Sequence, residues 1–529
     1  MALPREAYRM LEAVLGAENI SEDPAVLDSY TWQRGHEDLG PKEGKRFLPF
    51  KPEAVVLPGS TEEVQGIVKV CNKFKIRSKA HSTGWAAYAA VGCENGIQID
   101  LRRMNRFEID EKNMIAVVEP YVIGAQLLAE LWKRALNFNV IGAGPNCSTL
   151  AGVTSFMGSG YNNMSMGIHE RNALGVEWVL PTGDILRLGS LGSGLGWFCG
   201  DGPGPSLRGL MRGLYGAAGG LGVFTKCAIK VYHWPGESRL PIRAIGKPPR
   251  YVWEEGAEMP ENMALYHFEF DNAEQRDEAL WAVGEAETGY AGGFHQRGIL
   301  ALLLCGYNAD AVNMIEGKIP EILPRYAFTL QLVCNSKREF EYQKKVVDEV
   351  LAKTGGRIYR LEPELEAMMF LQLVQGSSNA VKVVFSRAGS FHPTMVGNIV
   401  TRYTLAKTEA IAVEAKQKYI EKGVIWDDMG EGGWGCITDY AHLAYLENET
   451  GYDPLDEDSV QGWLGAGNDT NRELIKQKLQ VPIAAARHLA YPKSPHEFCS
   501  EHLGNYNIWQ RKIKEVFDPN TASDPITYV

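Results

Sequence analysis

The sequence predicts an α+β protein of two domains, and three observations carry that prediction. The chain of 529 residues exceeds what one hydrophobic core usually organises. From about Phe47 to Pro235 short apolar strands alternate with helices. Beyond HWPGESRL, around Pro235, strand-patterned segments are separated by longer helical ones, the pattern of an antiparallel sheet backed by helices. The expected division is a first domain over 1–235 with its core at about 47–235, a second over 236–489, and a segment 490–529 that returns to the first.

In chain order, Val55 to Leu57 reads as a short strand, followed by a Pro-Gly turn and a helix from Ser60, where Ser60 and Glu63 have the spacing of a capping box. Lys75 to Gly92, KIRSKAHSTGWAAYAAVG, then leads to a strand at IQIDLRRM. Ser82, Thr83, Gly84 and the alanines beyond leave backbone N–H groups unobstructed, as an anion requires. A tight crossover and a phosphate cradle both fit this stretch. MIAVVEP continues as a strand and IGAQLLAELWKRAL as a helix. From Ile141 to Gly167 long side chains nearly vanish, and VEWVLPTGDILRL follows as a hairpin turning at Pro181, Thr182, Gly183 and Asp184. A glycine-rich loop from Gly189 to Pro205 precedes GAAGGLGVFTKCAIKVY, a loop entering a strand. Glycine at so many strand ends suits a long, buried cofactor. In the second domain RAIG, ALYHFEF, ALLLCGY and FTLQLVC read as strands, and NAEQRDEALWAVGEAE and REFEYQKKVVDEVLAKTG as helices. YNIWQRKIKEVFDPNTASDP closes the chain as a helix and turn.

A formal charge of -11 argues against a general nucleic-acid or anionic-membrane binder, which would present basic faces. Arg5, Glu6, Arg9 and Glu12 interrupt the apolar N-terminus, which suits a surface helix better than a signal peptide. No run of about eighteen apolar residues is present to span a bilayer. The nine cysteines are scattered singly, without a CxxC pair, which fits a reducing, cytoplasmic setting. No cysteine-histidine cluster has metal spacing, so redox chemistry would come from an organic cofactor.

Several of these segments, in order, resemble the FAD-linked oxidoreductases of the vanillyl-alcohol oxidase and p-cresol methylhydroxylase type. HSTGW resembles the pyrophosphate loop, GPNCSTLAGV the second flavin loop, GSGYNN the turn after it, GPGPSLRGLMRG the long loop, GGLGVFT the last loop and KIKEVFDPNT the C-terminal helix and turn. The resemblance covers nearly the whole chain. It implies the two-domain PCMH-type FAD-binding fold with an α+β cap, and FAD extended across the first domain. By position it puts Ser82, Thr83, Gly84 and Trp85 on the pyrophosphate. Pro145, Asn146, Thr149, Gly152, Gly158 and Tyr161 fall along the flavin and its ribityl chain, and Gly222 and Val223 near the adenine.

The resemblance also implies hydride transfer from an aromatic alcohol or alkylphenol-type substrate to flavin N5. Tyr88 falls at the family's phenolate-binding tyrosine and Tyr491 at a second one. Two positions depart from the pattern: Pro492 stands where an arginine follows that tyrosine, with Lys493 next to it, and Phe156 stands where an acidic residue faces the flavin. Arg387 and His392, in a glycine-containing cap loop, and Asp439, Tyr440, His442 and Tyr445, within two helical turns or one strand, supply further catalytic candidates. A histidine beside tyrosines can act as a base, and a core or surface histidine with a satisfied hydrogen bond is the alternative. Noncovalent FAD is expected, with His81, Cys147, Tyr440 and His442 as the positions for a covalent link. A 2-hydroxyacid dehydrogenase and a non-redox alkyl-glycerone-phosphate-synthase-like enzyme share the fold. No HxxxxxxH metal pair marks the former. The expected partners are a small organic substrate, an electron-acceptor protein and further copies of the chain.

Overall fold

The computed structural model of the chain describes residues 3–31, 50–84, 89–139, 148–156, 158–211, 217, 219–246, 250–295, 297–298, 308–317, 323–375, 392–429, 431, 433–453, 456–479, 481–482 and 504–524. The first strand of the parallel sheet, Ala54–Val56, is wholly buried. Ser60 caps the helix Thr61–Phe74 by accepting the Glu63 N–H at 3.2 Å. The Glu63 carboxylate reaches past Ser60 and takes the Gly59 N–H at 2.7 Å, so the second half of the expected capping box closes one residue earlier. Valines, Ile67 and Cys71 along one side of this helix enter a core shared with Ala7, Leu11 and Leu15 of the N-terminal helix Arg5–Leu15. The strands Ala54–Val56, Gly96–Asp100 and Arg77–His81 pair in parallel, which requires the helical crossover the sequence supplies.

The second sheet of this part is antiparallel, in the order Phe107–Asp110, Ile115–Val118, Val223–Lys230, Ala173–Val179, Ile185–Arg187. Its hairpin turns at Pro181 to Asp184 as expected, with Gly183 at φ +89° donating its N–H to Leu180 O. The helix Gly124–Trp132 covers one face through Leu127, Leu128 and Leu131.

The cap holds two four-stranded antiparallel sheets. One runs Ala291–Gly293, Tyr326–Val333, Met263–Phe270, Arg357–Tyr359, and the other Gly433–Thr438, Leu443–Tyr452, His392–Val400, Val481–Pro482. They meet where Phe294 and Gly435 exchange backbone hydrogen bonds of 2.8 and 3.1 Å. On one face, Phe268, Phe328, Leu330 and Leu332 pack with residues of the helices Ala273–Glu285 and Lys337–Thr354. ALLLCGY lies outside the described residues. His392 heads a strand, paired with Tyr452, where the sequence suggests a loop. The extended His392–Val400 segment finds a partner only through a register that joins residues some fifty positions apart, which local pattern does not reveal.

After the helix Tyr506–Phe517, the chain lays Ser523 in parallel beside Ser78. Phe517 stacks on Trp178 with ring centroids 6.1 Å apart. Among the described residues no helix is long and apolar enough to cross a membrane.

Candidate active site

Three glycine-rich segments converge at the ends of the first-domain strands. The strand Arg77–His81 delivers Ser82, whose hydroxyl lies 2.8 Å from that of Thr149. Thr149 is itself bridged to Ile123 and stands at the start of the helix Leu150–Phe156. Gly84 takes a left-handed φ of +75°, a conformation that disfavours a side chain. Gly219, at φ +80°, lies over Lys79, and a Cβ there would be 3.3 Å from the ammonium nitrogen. Lys79 is only 1% exposed, so a cation is held directly beneath this loop. Gly222 adopts φ +92°, where a Cβ would meet Val179 O at 2.2 Å, and its N–H donates to the Ser523 hydroxyl at 3.0 Å. Val223 is buried and paired with Val179.

These residues fit a phosphate-bearing dinucleotide. Hydroxyls of Ser82 and Thr149, bare backbone at Gly84 and Gly219 and the Lys79 cation form the donor set that such an anion takes. The hydroxyls of Ser148 and Ser159 are buried and have no partner among the described residues, so they too await an outside hydrogen bond. Gly152 follows Thr149 in the first turn of the helix. The Gly158 carbonyl accepts the His169 N–H at 2.9 Å.

His81 forms part of the floor of this site. Its Nδ1 lies 3.3 Å from Ala89 O, and its ring meets Tyr30 edge-on at 5.1 Å. Burial lowers its pKa, and the neighbouring Asp100 carboxylate opposes that effect. Asp100 is already held by the Tyr30 hydroxyl and by Arg102 at 2.9 Å.

Tyr161 connects the flavin-loop side to the cap. It is 3% exposed, its hydroxyl lies 3.2 Å from His295 Nδ1, and its ring meets Trp434 edge-on at 5.3 Å. His295 lines a small, partly open cavity together with His267, Phe294, Arg297, Phe328, Thr329 and Met369 among others. His267 Nδ1 is 2.9 Å from the Thr329 hydroxyl. The Nε2 atoms of both histidines are cut off from solvent and have no hydrogen-bond partner among the described residues. Burial depresses both rings, His295 to about 4 and His267 to about 3, so both are neutral near pH 7. Arg297 is bound to Glu431 through Nε at 2.5 Å and through its own backbone N–H at 2.9 Å. The Arg276 guanidinium lies 3.9 Å from the Phe294 ring centre, fixed by Asp277 and Glu409.

Neither His267 nor His295 stands out in the sequence. Each is a lone histidine in a strand-like run, and the signals available are the HFEF alternation and the glycine pair before FHQR.

The DYAHLAY stretch is neither a helix nor one strand. Asp439, Tyr440 and Ala441 have φ of +50°, +48° and +71° and form the turn between Gly433–Thr438 and Leu443–Tyr452. This turn docks on the first domain: Tyr440 donates its N–H to Met164 O at 2.8 Å, Asp439 donates to Asn163 O at 3.1 Å, and the Asp439 carboxylate pairs with Arg171. A side chain at Gly167 would collide with that carboxylate. Burial raises the Tyr440 pKa. Neither Tyr440 nor His442 is among the cavity-lining residues. Thr83 lies beside Ser82 in the first loop. Trp85, Tyr88, Pro145, Asn146, Cys147, Arg387 and Tyr491 lie outside the described residues.

A parallel and an antiparallel sheet that converge on glycine loops, with a sheet-built cap over them, define a flavin-binding class of protein. Comparison with known proteins agrees. Residues 52–189 match the FAD binding domain family. The glycolate oxidase subunit GlcD of Bacillus subtilis is 27% identical over 245 residues, 46% of this chain and 48% of that protein. The flavoprotein subunit of 4-cresol dehydrogenase [hydroxylating] from Pseudomonas putida is 28% identical over 261 residues, 48% of this chain and 46% of that one. The matched region thus spans about half the length of these relatives. In structure, p-cresol methylhydroxylase with substrate bound superposes with a TM-score of 0.73 at 18% identity, covering 99% of this chain and 96% of that one. Residues 52–189 thus carry an FAD binding domain, and the chain as a whole shares the two-domain fold of p-cresol methylhydroxylase.

Proposed function

We propose that the protein is an FAD-dependent oxidoreductase that takes hydride from an aromatic alcohol or alkylphenol-type substrate seated in the cap cavity. The supporting observation is the hydrogen-bonded pair Tyr161 and His295, which joins the GSGYNN turn to a cavity walled by Phe294, Phe328 and Met369. Bound FAD supplies the hydride acceptor. The chain supplies the rest. Aromatic and thioether walls orient a ring and exclude water. The neutral His295, at the wall of the cavity, is the base that accepts the hydroxyl proton as the carbon gives up hydride and the C–O bond becomes a carbonyl. Tyr161 fixes the imidazole through Nδ1. Among described residues, Ser82, Thr149, Ser148 and Ser159 would hold the cofactor with the Gly84 and Gly219 backbones.

The cofactor is proposed to be noncovalent, because His81 is wedged between Tyr30 and Gly84 and the Tyr440 turn is committed to docking on Asn163 and Met164. Acid precipitation should leave the yellow colour in the supernatant, and colour in the pellet would overturn that assignment. The catalytic reading is tested by anaerobic mixing with 4-hydroxybenzyl alcohol, 4-ethylphenol and glycolate. Bleaching of the flavin by either aromatic compound is expected. Bleaching by glycolate alone would instead support the 2-hydroxyacid reading, which the similarity to a glycolate oxidase subunit favours.

A further inference from the structure

The helix Tyr506–Phe517 lays one face on the first domain. Ile513 and Phe517 pack against the core there, Phe517 stacks on Trp178, Asn507 is buried, and Lys514 Nζ donates to the Gly220 carbonyl. The same helix carries a second set of large apolar side chains, Tyr506, Ile508, Trp509 and Val516, and all four are exposed. Trp509 is 61% exposed and Val516 74%. Seven residues apart in sequence, these two lie along one stripe of the helix, turned away from Asn507 and Lys514. Exposed apolar side chains gathered on one face, rather than scattered singly, mark a surface that meets another.

The edge of this stripe is charged. Lys512 holds its ammonium 4.4 Å from the centre of the Trp509 ring, and Glu515, also exposed, follows it by three residues on the same flank. The pattern is complementary to itself. Trp509 and Val516 are equally far from the point midway between Lys512 and Ile513, so two copies laid antiparallel about a twofold axis through that point set Trp509 of each against Val516 of the partner subunit. Like flanks face each other in such a pair, which brings Lys512 of each copy beside Glu515 of the partner subunit, within about 3 Å of level. An isologous contact needs a patch that matches itself, and an apolar centre with opposite charges at its edge is one. A lipid surface answers this face less well, because Glu515 borders the stripe and the chain's formal charge of -11 opposes an anionic bilayer.

We infer that the exposed face of the C-terminal helix is a homodimer contact, formed with the same helix of a second copy in antiparallel register. Trp509 and Val516 make its apolar centre, and Lys512 and Glu515 its charged edge. The 12 residues of the helix rise only about 18 Å, so the helix pair falls short of a standard interface and the dimer depends on concentration.

Sedimentation velocity of the full FAD-loaded chain from about 1 to 100 μM should show a monomer–dimer equilibrium. Trp509→Glu should weaken it at least about tenfold, because it places a carboxylate at the centre of the contact twice per dimer. Lys512→Glu and Glu515→Lys should each weaken it by about threefold to tenfold. The double exchange K512E/E515K should return the affinity of the parent, since each pair is remade with its signs reversed. These three positions are exposed, and the flavin absorbance of each variant checks that it has folded. A monomer across the whole range, an assembly indifferent to Trp509→Glu, or a double exchange no tighter than either single variant would each overturn the inference. So would a chain that stays monomeric and sediments with phosphatidylserine-containing vesicles, which would make this face a lipid contact.

Discussion

Three histidines report how burial alters residue chemistry. His169 and His295 are held at about 4 and His267 at about 3, in each case because desolvation disfavours the charged ring. In the unfolded chain they regain a pKa of 6.5. Above that value both states are neutral and nothing is gained or lost. As the pH falls from 6.5 towards 4 the unfolded chain binds protons that the folded one refuses, so stability drops by about 1.4 kcal/mol per pH unit for each histidine. Urea unfolding should therefore show a marked loss between about pH 7 and pH 5, and His169→Gln should reduce the slope of that loss. An unchanged slope would show that His169 is protonated in the folded state. None of these rings is distinguished by its neighbours in sequence. His267 and His295 line one cavity because the strands that hold His267 and Gly293 both pair with Thr329.

Among the elements, the junction of the two cap sheets is the most exacting. Gly435 faces Phe294 so closely that a Cβ would lie 2.2 Å from the ring, and the same ring is held on the Arg276 side by a guanidinium. Gly435→Ala should cost roughly 1–3 kcal/mol and shift Phe294 against the cavity, lowering alcohol affinity together with the thermal midpoint. A variant as stable as the parent would mean that the sheets part freely there. Local pattern reveals this part of the cap poorly. The strands Met263–Phe270 and Tyr326–Val333 are readable from their apolar residues, whereas His392–Val400 and the turn at Asp439 to Ala441 are not. Three consecutive left-handed residues, none of them glycine, have no local signature; hydrogen bonds to Asn163 and Met164 hold them.

Across the whole molecule, the C-terminal segment binds the cofactor loops from outside. Lys514 Nζ donates to the Gly220 carbonyl, the Ser523 hydroxyl accepts from Gly222 at 3.0 Å, and the Asp524 carboxylate accepts from Gly92 at 2.6 Å. The first and last loops of the glycine-rich set are thus tied to one segment at the end of the chain. Asp524→Asn keeps the shape of the side chain and removes its charge, weakening a charge-assisted bond. FAD retained through gel filtration should fall several-fold, read as the ratio of visible to ultraviolet absorbance. Unchanged retention would make the segment a structural cover with no hold on the cofactor loops.

Cofactor and class are legible in the chain alone because glycine, serine and threonine at strand ends are a local demand: a backbone that must approach a phosphate admits no bulky side chain, wherever the rest of the fold goes. Ser82, Thr83 and Gly84 stand out as phosphate candidates on that ground. Substrate recognition is a different kind of property. It depends on which side chains a sheet register turns towards one cavity and which charges are already spent on each other, as Arg297 is on Glu431. Those facts exist only after separate strands have paired, so the tertiary structure alone brought His267 and His295 to the wall of one cavity.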